Sequence, residues 1–215
     1  MSEIRIVIDG REVRGREGTT ILEAAEKAGV TIPALCHRPD LSLSGNCRIC
    51  IVEVEGFSRL VGSCHTPIAE GMVVHTNSPK VIATRKVNFE LLITAHTGPC
   101  VTDMAARECE LHNLASKLEV GAPRFRVRAP RSYPVEDVSP YVRRDMSRCI
   151  LCRRCVPACT EIAKKDIYSM AYRGFRSKVV VDCDVALNKE ACKDCGVCID
   201  YCPTSALRKR GKGVA

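Results

Sequence analysis

The stretch that decides the fold reads Cys149-Ile150-Leu151-Cys152-Arg153-Arg154-Cys155-Val156-Pro157-Ala158-Cys159 and, further on, Cys192-Lys193-Asp194-Cys195-Gly196-Val197-Cys198-Ile199-Asp200-Tyr201-Cys202-Pro203. Each run is Cys-x2-Cys-x2-Cys-x3-Cys, and the second ends in Cys-Pro. Three thiolates at this spacing wrap one [4Fe–4S] cubane, and the fourth reaches across to the other cluster. The spacing therefore assigns Cys149, Cys152, Cys155 and Cys202 to one [4Fe–4S] cluster. Cys192, Cys195, Cys198 and Cys159 go to a second. Zinc ribbons and a disulfide framework are the competing readings. Zinc takes its ligands as two pairs, not as triplets with a trailing fourth. The chain has 15 cysteines, an odd and clustered set that does not suit a complete set of disulfides.

A chain of 215 residues suggests one or two conventional domains. With no Trp and only 4% aromatics, a large oily core is not expected, and metals take over part of its role. The N-terminus, Met1 to Gly10, alternates polar and apolar residues without the long apolar stretch of a signal peptide. No apolar run approaches the roughly eighteen residues of a membrane span. The expectation is a soluble protein in a reducing compartment, the cytoplasm. The formal charge of +8 counts cysteines as neutral. Four oxidised clusters with their thiolates would remove roughly six units and leave about +2. With few aromatics to stack on bases, nucleic acid is not an expected partner. The tail Arg208-Lys209-Arg210-Gly211-Lys212 stays basic and reads as a solvated terminus.

Upstream, alternating runs at 4–8 and 11–14 flank Asp9-Gly10, a strong hairpin signal. Thr20 and Glu23 stand at capping-box spacing, Ile21, Leu22, Ala25 and Ala28 form a helical stripe, and Gly29 can end the helix. Hairpin, helix, then a Cys-rich loop is the opening of a β-grasp ferredoxin. That loop carries Cys36-x10-Cys47-x2-Cys50, with Cys64 following. The order is that of plant-type [2Fe–2S] ligands with a longer first gap, so these four cysteines are assigned to a [2Fe–2S] cluster. Gly45 and Asn46 suit a tight loop with amides aimed at cluster sulfides. His37 and His65 each abut a cysteine, but four thiolates already complete the site, so neither is assigned as a ligand. Strands are expected at Ile49–Glu55 and Val73–His75. An amphipathic helix is expected over 80–95, started by Ser78-Pro79 and carrying Ile82, Val87, Phe89, Leu92 and Ile93.

The next stretch, His96-Thr97-Gly98-Pro99-Cys100-Val101-Thr102-Asp103 and on to Cys109, reads His-x3-Cys-x2-Asp-x5-Cys. At this point the chain resembles the N-terminal iron–sulfur region of the large iron–sulfur subunit of respiratory complex I. The same region occurs in iron-only hydrogenases and in the small diaphorase subunit of NAD-reducing hydrogenases, the closest in layout. In that family the stretch is His-x3-Cys-x2-Cys-x5-Cys and holds a [4Fe–4S] cluster with one His ligand. The resemblance thus implies His96, Cys100 and Cys109 as ligands, with Asp103 where the family has its middle cysteine. Asp103 either favours the dipole of the next helix or ligates iron as a harder oxygen donor; ligation is the reading taken. The helix after Asp103 is expected to reach Glu119, with Cys109, Leu111, Leu114, Ala115 and Leu118 inward. Arg153 stands where the family usually has Gly. Strands are expected at Ile167–Tyr172 and Val179–Val181, and Cys183, outside every ligand set, as a buried free thiol.

The expected fold class is α+β. It comprises a β-grasp [2Fe–2S] domain over 1–78, a small helical His-ligated [4Fe–4S] domain over 79–122 and a connector over 123–140. A βαββαβ two-[4Fe–4S] ferredoxin domain over 141–209 and a basic tail over 210–215 complete it. The cofactors expected are one [2Fe–2S] and three [4Fe–4S] clusters. No dinucleotide fingerprint or P-loop is present, and the ligand sets are closed, so the chain itself is not expected to make or break bonds. The resemblance implies an electron-transfer subunit. One partner would be a flavoprotein binding FMN and NAD(H), with a small thioredoxin-like [2Fe–2S] subunit as another. The other end would meet a hydrogenase, formate dehydrogenase, bifurcating transhydrogenase or other reductase. A freestanding polyferredoxin-type carrier is the alternative, and a truncated iron-only hydrogenase a third reading that the missing catalytic domain argues against.

Overall fold

A computed structural model describes residues 3–96, 109–125, 139–187 and 190–210. Cys100, Asp103 and most of the expected connector lie outside these described residues.

Asp9 and Gly10 both take positive φ, +48° and +80°, the backbone a two-residue hairpin needs. The turn folds β1 (Glu3–Ile8) onto β2 (Arg11–Arg16), with Ile6 opposite Val13. Alternation places Ile6, Ile8 and Val13 on one buried face. Helix α1 (Ile21–Lys27) starts at the expected capping box: Glu23 N–H donates to Thr20 Oγ1, and Thr20 N–H donates to the Glu23 carboxylate at 2.8 Å. Gly29 follows in the left-handed region at φ +71°. Strands β3 (Ile51–Val54), β4 (Val61–Gly62) and β5 (Val73–His75) complete a sheet ordered β2-β1-β5-β3-β4, in which only β1 and β5 run parallel. Ile21, Leu22, Ala24 and Ala25 of α1 pack with Ile6, Ile8, Val52, Val54 and Val74 into the first core, the β-grasp arrangement. β3 starts later than expected because Ile49 and Cys50 belong to the loop that precedes it.

Helix α2 (Pro79–Ala95) is capped by Ser78, whose Oγ accepts from Val81 N–H. Its buried side differs from the expected apolar stripe. Val81 and Phe89 are buried, but so are Arg85 and Glu90, while Ile82 is 53% exposed. The charged residues go inside because partners wait for them. Arg85 donates to the Ile49, Ile51 and Thr76 carbonyls at 2.9–3.0 Å, and the Glu90 carboxylate accepts three guanidinium contacts from Arg124. Helix α3 (Glu110–Lys117) has Cys109 at its N-cap and buries Leu111 and Ala115. Leu118, expected inward, caps the C-terminus at 37% exposed.

The last unit runs β6 (Val142–Arg144), α4 (Cys155–Pro157) continuing into a π turn over Ala158–Ile162, β7 (Tyr168–Ala171), β8 (Lys178–Val181), α5 (Val197–Asp200) and β9 (Leu207–Lys209). β6 pairs antiparallel with β9 and β7 with β8, which gives βαββαβ order. Cys183 is exposed, not buried. It sits in the turn after β8 between Asp182 and Asp184, both at positive φ, so it never joins the buried face of Val179, Val180 and Val181. Among the described residues no helix is long and apolar enough to cross a membrane.

Candidate metal centres

Four thiols converge beside the β-grasp sheet. Cys36, Cys47, Cys50 and Cys64 are each at most 6% exposed. They meet as two pairs, Cys36 with Cys47 and Cys50 with Cys64, each sharing a thiol hydrogen bond. The Cys47 amide also points at Cys36 Sγ, 3.5 Å away. The shared bond favours one thiolate per pair. Cys36 is held down to about 5 by Cys47, and Cys50 to about 6 by Cys64, while Cys47 and Cys64 are pushed up by the same bonds and by burial. A cation bound to all four removes the remaining protons. Gly45 at φ +61° and Arg48 at φ +56° give the loop its tight curl. Arg85 pins both shoulders of Cys50 through the Ile49 and Ile51 carbonyls. Of the flanking histidines, His65 is exposed, with Nδ1 3.7 Å from Cys64 Sγ. His37 is half-buried.

The two cysteine runs fold into matching loops. Leu151 and Asp194 both take φ +56°, and Arg153 and Gly196 take +66° and +72°. Each run thus places two left-handed residues two apart, a tight curl of the kind that aims backbone amides at an anion. Cys149, Cys152, Cys155 and Cys202 line one cavity, walled by Met146, Ile150, Tyr168, Val179 and Leu207. Three thiols of the first run and the last thiol of the second are therefore brought together. Burial and the mutual repulsion of these thiols push Cys152 and Cys155 up. Cys198 is pushed up to about 12 by burial, with Cys159, Cys192 and Cys195 adding to it. These four form the complementary group. Leu151 N–H approaches Cys149 Sγ at 3.4 Å and Ile167 N–H approaches Cys159 Sγ at 3.3 Å.

The third group is smaller. His96, at the end of α2, is 6% exposed, and Cys109 is fully buried. His96 Nδ1–H donates to the Arg148 carbonyl at 2.7 Å. That bond leaves the lone pair on Nε2, which lies 3.9 Å from Cys109 Sγ. Burial holds the His96 imidazole neutral, its pKa lowered to about 4. A backbone carbonyl orienting the far nitrogen is the usual support of a metal-bound histidine. Cys100 and Asp103 fall outside the described residues. His112, which the sequence reading did not assign, places Nδ1 3.3 Å from Cys109 Sγ. Its signal was present as Cys-x2-His at i, i+3, the spacing that puts two side chains on one helix face.

Cys36, Cys47, Cys109 and Cys152 share one apolar core with Leu35, Ile49, Phe89, Leu111 and Ile150. Arg154 lies at this junction, 3% exposed, with Nη1 bonded to Glu110 at 2.9 Å and its charge acting on Cys36. Its Nε–H is buried without a hydrogen-bond partner, a donor left over for an acceptor that protein atoms do not supply. All described cysteines are free thiols. Convergent free thiols, inward amides and an orphaned buried donor fit iron–sulfur clusters.

Residues 1–79 match the family described as 2Fe-2S iron-sulfur cluster binding domain. Residues 139–208 match NADH-quinone oxidoreductase subunit 3, ferredoxin-like domain. The chain is an iron–sulfur electron-transfer protein that binds [2Fe–2S] and [4Fe–4S] clusters. It is 38% identical over 212 residues to the NADP-reducing hydrogenase subunit HndD of Solidesulfovibrio fructosivorans, covering 96% of this chain and 36% of that one. It is 34% identical over 211 residues to the mitochondrial NADH-ubiquinone oxidoreductase 78 kDa subunit of Candida albicans, covering 98% and 29%. A crystal structure of an NAD+-reducing [NiFe]-hydrogenase in the H2-reduced state superposes with a TM-score of 0.83 at 28% identity, over 99% of this chain and 89% of the other. The chain belongs to the family of the N-terminal iron–sulfur region of the complex I large iron–sulfur subunit, which NAD(P)-linked hydrogenases share. It spans about a third of the length of these curated relatives.

Proposed function

We propose that the chain is the iron–sulfur relay of a cytoplasmic, multisubunit NAD(P)-linked oxidoreductase. It passes electrons between a flavoprotein subunit binding FMN and NAD(H) and a catalytic partner: a hydrogenase, formate dehydrogenase, transhydrogenase or other reductase. A thioredoxin-like [2Fe–2S] subunit is a further partner. The names of the similar proteins, an NADP-reducing hydrogenase subunit, an NAD+-reducing hydrogenase and an NADH-ubiquinone oxidoreductase subunit, support this reading.

The single observation that carries the relay is the shared core. Cysteines of three ligand groups meet in one apolar core, Cys36, Cys47 and Cys109 within it and half-buried Cys152 packed against it. In this reading Cys36, Cys47, Cys50 and Cys64 hold a [2Fe–2S] cluster. Cys149, Cys152, Cys155 and Cys202 hold one [4Fe–4S] cluster, and Cys192, Cys195, Cys198 and Cys159 another. A third [4Fe–4S] cluster is built on His96 and Cys109, with Cys100 and Asp103 as the further ligands the sequence offers. In this reading the units are 1–78, 79–122 and 141–209, with a connector at 123–140 and a basic tail at 210–215.

When bound, the clusters supply one-electron redox couples. The chain's residues do the rest. The thiols and His96 fix position, and the apolar walls of Met146, Ile150, Val179 and Leu207 exclude water from the first cubane site. Arg154 and the loop amides set the local field. Complete ligand sets leave no position for a substrate, so hydride chemistry belongs to a partner. Gentle anaerobic purification tests the proposal. An FMN-containing flavoprotein and a catalytic subunit should co-purify. Migration as a lone chain without a flavoprotein would favour the freestanding polyferredoxin instead.

A further inference from the structure

Tyr168 opens β7 and reaches both cubane sites. It is 2% exposed. It lines the cavity of Cys149, Cys152, Cys155 and Cys202, the first cubane site. Its hydroxyl lies 3.8 Å from Sγ of Cys198, which belongs to the second. We propose that Tyr168 is a positioning residue for electron transfer: its phenol O–H donates to the Cys198 thiolate and raises the potential of the second cubane, while the same residue walls the first. One side chain thus contributes to the potential step between the two. The inference rests on the reading that Cys159, Cys192, Cys195 and Cys198 hold a [4Fe–4S] cluster.

The direction of the hydrogen bond follows from the charge on sulfur. A free Cys198 thiol can donate to the phenol oxygen. Bound to iron, Cys198 is a thiolate and only accepts, so the phenol becomes the donor. A buried tyrosine O–H takes a hydrogen-bond partner, and among the described residues the Cys198 sulfur is the one that meets this hydroxyl. The strand holds it in place. Tyr168 pairs with Val181 across β7 and β8, and Ile167, the residue before it, aims its N–H at Cys159 Sγ, 3.3 Å away. Two consecutive residues therefore bring two donors to two sulfurs of the same group. The Arg144 guanidinium, itself 2% exposed, lies 5.8 Å from the centre of the Tyr168 ring. A buried cation over the ring draws density from the phenol and makes its O–H a better donor. Hydrogen bonds to cluster sulfur raise the potential, and burial strengthens them. The first cubane site has a hydroxyl of its own, Thr204 Oγ1, 3.9 Å from Cys202 Sγ. An alcohol is a weaker acid than a phenol and a weaker donor, so the two hydroxyls do not cancel. The contribution of Tyr168 falls on the second cubane and biases an electron toward it.

Tyr168→Phe removes the hydroxyl and keeps the ring. The anaerobically purified full chain, with whatever subunits accompany it, is titrated with dithionite, and the cubane midpoints are read by EPR. The proposal expects the second cubane to hold its electron about fivefold less tightly, the size of one net hydrogen bond, which is roughly 40 mV more negative at about 59 mV per tenfold. The first cubane keeps its midpoint. Fluorotyrosine in place of Tyr168, a more acidic phenol of nearly the same size, should move the same midpoint the other way. That variant keeps the buried hydroxyl and so keeps the test independent of any folding defect in Tyr168→Phe. Cys198→Ser alters or abolishes the second cubane's signal and thereby identifies it. Midpoints unmoved in both variants, or a shift shared by both cubanes or confined to the first, would overturn the inference and leave the clusters standing. A reduced wild-type chain without two cubane signals would overturn the ligand assignment beneath it.

Discussion

Replacing Arg85 with Met removes a buried guanidinium and keeps most of the stem that packs beneath it. Arg85 is 3% exposed and donates to three backbone carbonyls, those of Ile49 at 3.0 Å, Ile51 at 2.9 Å and Thr76 at 3.0 Å. It also reaches the Asn77 side chain at 3.3 Å. A hydrogen bond from a charged donor contributes about 1.5 kcal/mol at the lower end of its range, so three give roughly 4.5 kcal/mol. Returning the guanidinium to water in the wild-type unfolded state offsets part of this, since burial already lowers the Arg85 pKa. The net expected loss is about 3 kcal/mol, within the range for breaking a buried polar network. The loss should fall on the Cys47–Cys50 loop, because Ile49 and Ile51 flank Cys50. Urea unfolding of the cluster-loaded chain, followed by visible absorption of the [2Fe–2S] cluster and by far-UV circular dichroism, measures it. Arg85→Met should lower the midpoint and bleach the [2Fe–2S] band before the secondary structure melts. Arg85→Lys, which keeps the charge but not the fork, should fall between. A midpoint within the equivalent of about 0.5 kcal/mol of wild type, the usual size of an inert surface change, would refute this account of Arg85.

Other perturbations have equally direct readouts. Arg154→Gln should make the [2Fe–2S] potential and that of the Cys152 cluster more negative. A unit charge roughly 8 Å away at an effective dielectric near 20 gives about 2 kcal/mol; its ion pair with Glu110 reduces this to about 1 kcal/mol, or about 40 mV for one electron. Potentiometric EPR checks it, and unchanged potentials would contradict it. Gly196→Ala should destabilise the second cysteine loop by about 1 kcal/mol, because φ is +72° there and the new Cβ would meet Lys209 Cε at 3.4 Å. Arg153→Ala, at the matching place in the first loop, should change the thermal midpoint little, since that loop already holds a side chain at φ +66°. Asp184→Asn should cost about 0.5 kcal/mol near neutral pH. Lys178 holds the Asp184 carboxylate below its usual range, so the stabilisation is present above the ordinary carboxylate pKa and disappears as pH falls through the lowered one. Urea midpoints of the two chains should converge in acid, and a gap that persists there would assign the effect to something other than this charge.

The parts of the fold that announce themselves in the sequence are those set by local chemistry. The Asp9-Gly10 turn, the Thr20–Glu23 capping box and Ser78-Pro79 each act over a few residues, and each produces the element expected of it. Cysteine spacing is equally local within a run, and the last cysteine of the second run, Cys202, joins Cys149, Cys152 and Cys155 at one cavity. What the sequence conceals depends on partners far along the chain. Arg85 and Glu90 look like the solvated side of a helix, yet Ile49, Ile51 and Thr76 carbonyls and Arg124 draw them inside. Cys183 looks like a small buried hydrophobe, but two neighbouring left-handed aspartates place it on a turn. His112 was concealed by the strength of the adjacent motif. Its approach to Cys109 Sγ follows from α3 starting at Cys109, which the ligand spacing does not state.

Electron entry tests the relay reading most directly. The anaerobically purified, cluster-loaded chain, freed of other subunits, is exposed first to NADH and then to dithionite while its visible absorption is followed. The account predicts no bleaching by NADH, bleaching by dithionite, and NADH-dependent bleaching once the co-purifying flavoprotein is added back. Reduction of the lone chain by NADH would contradict it.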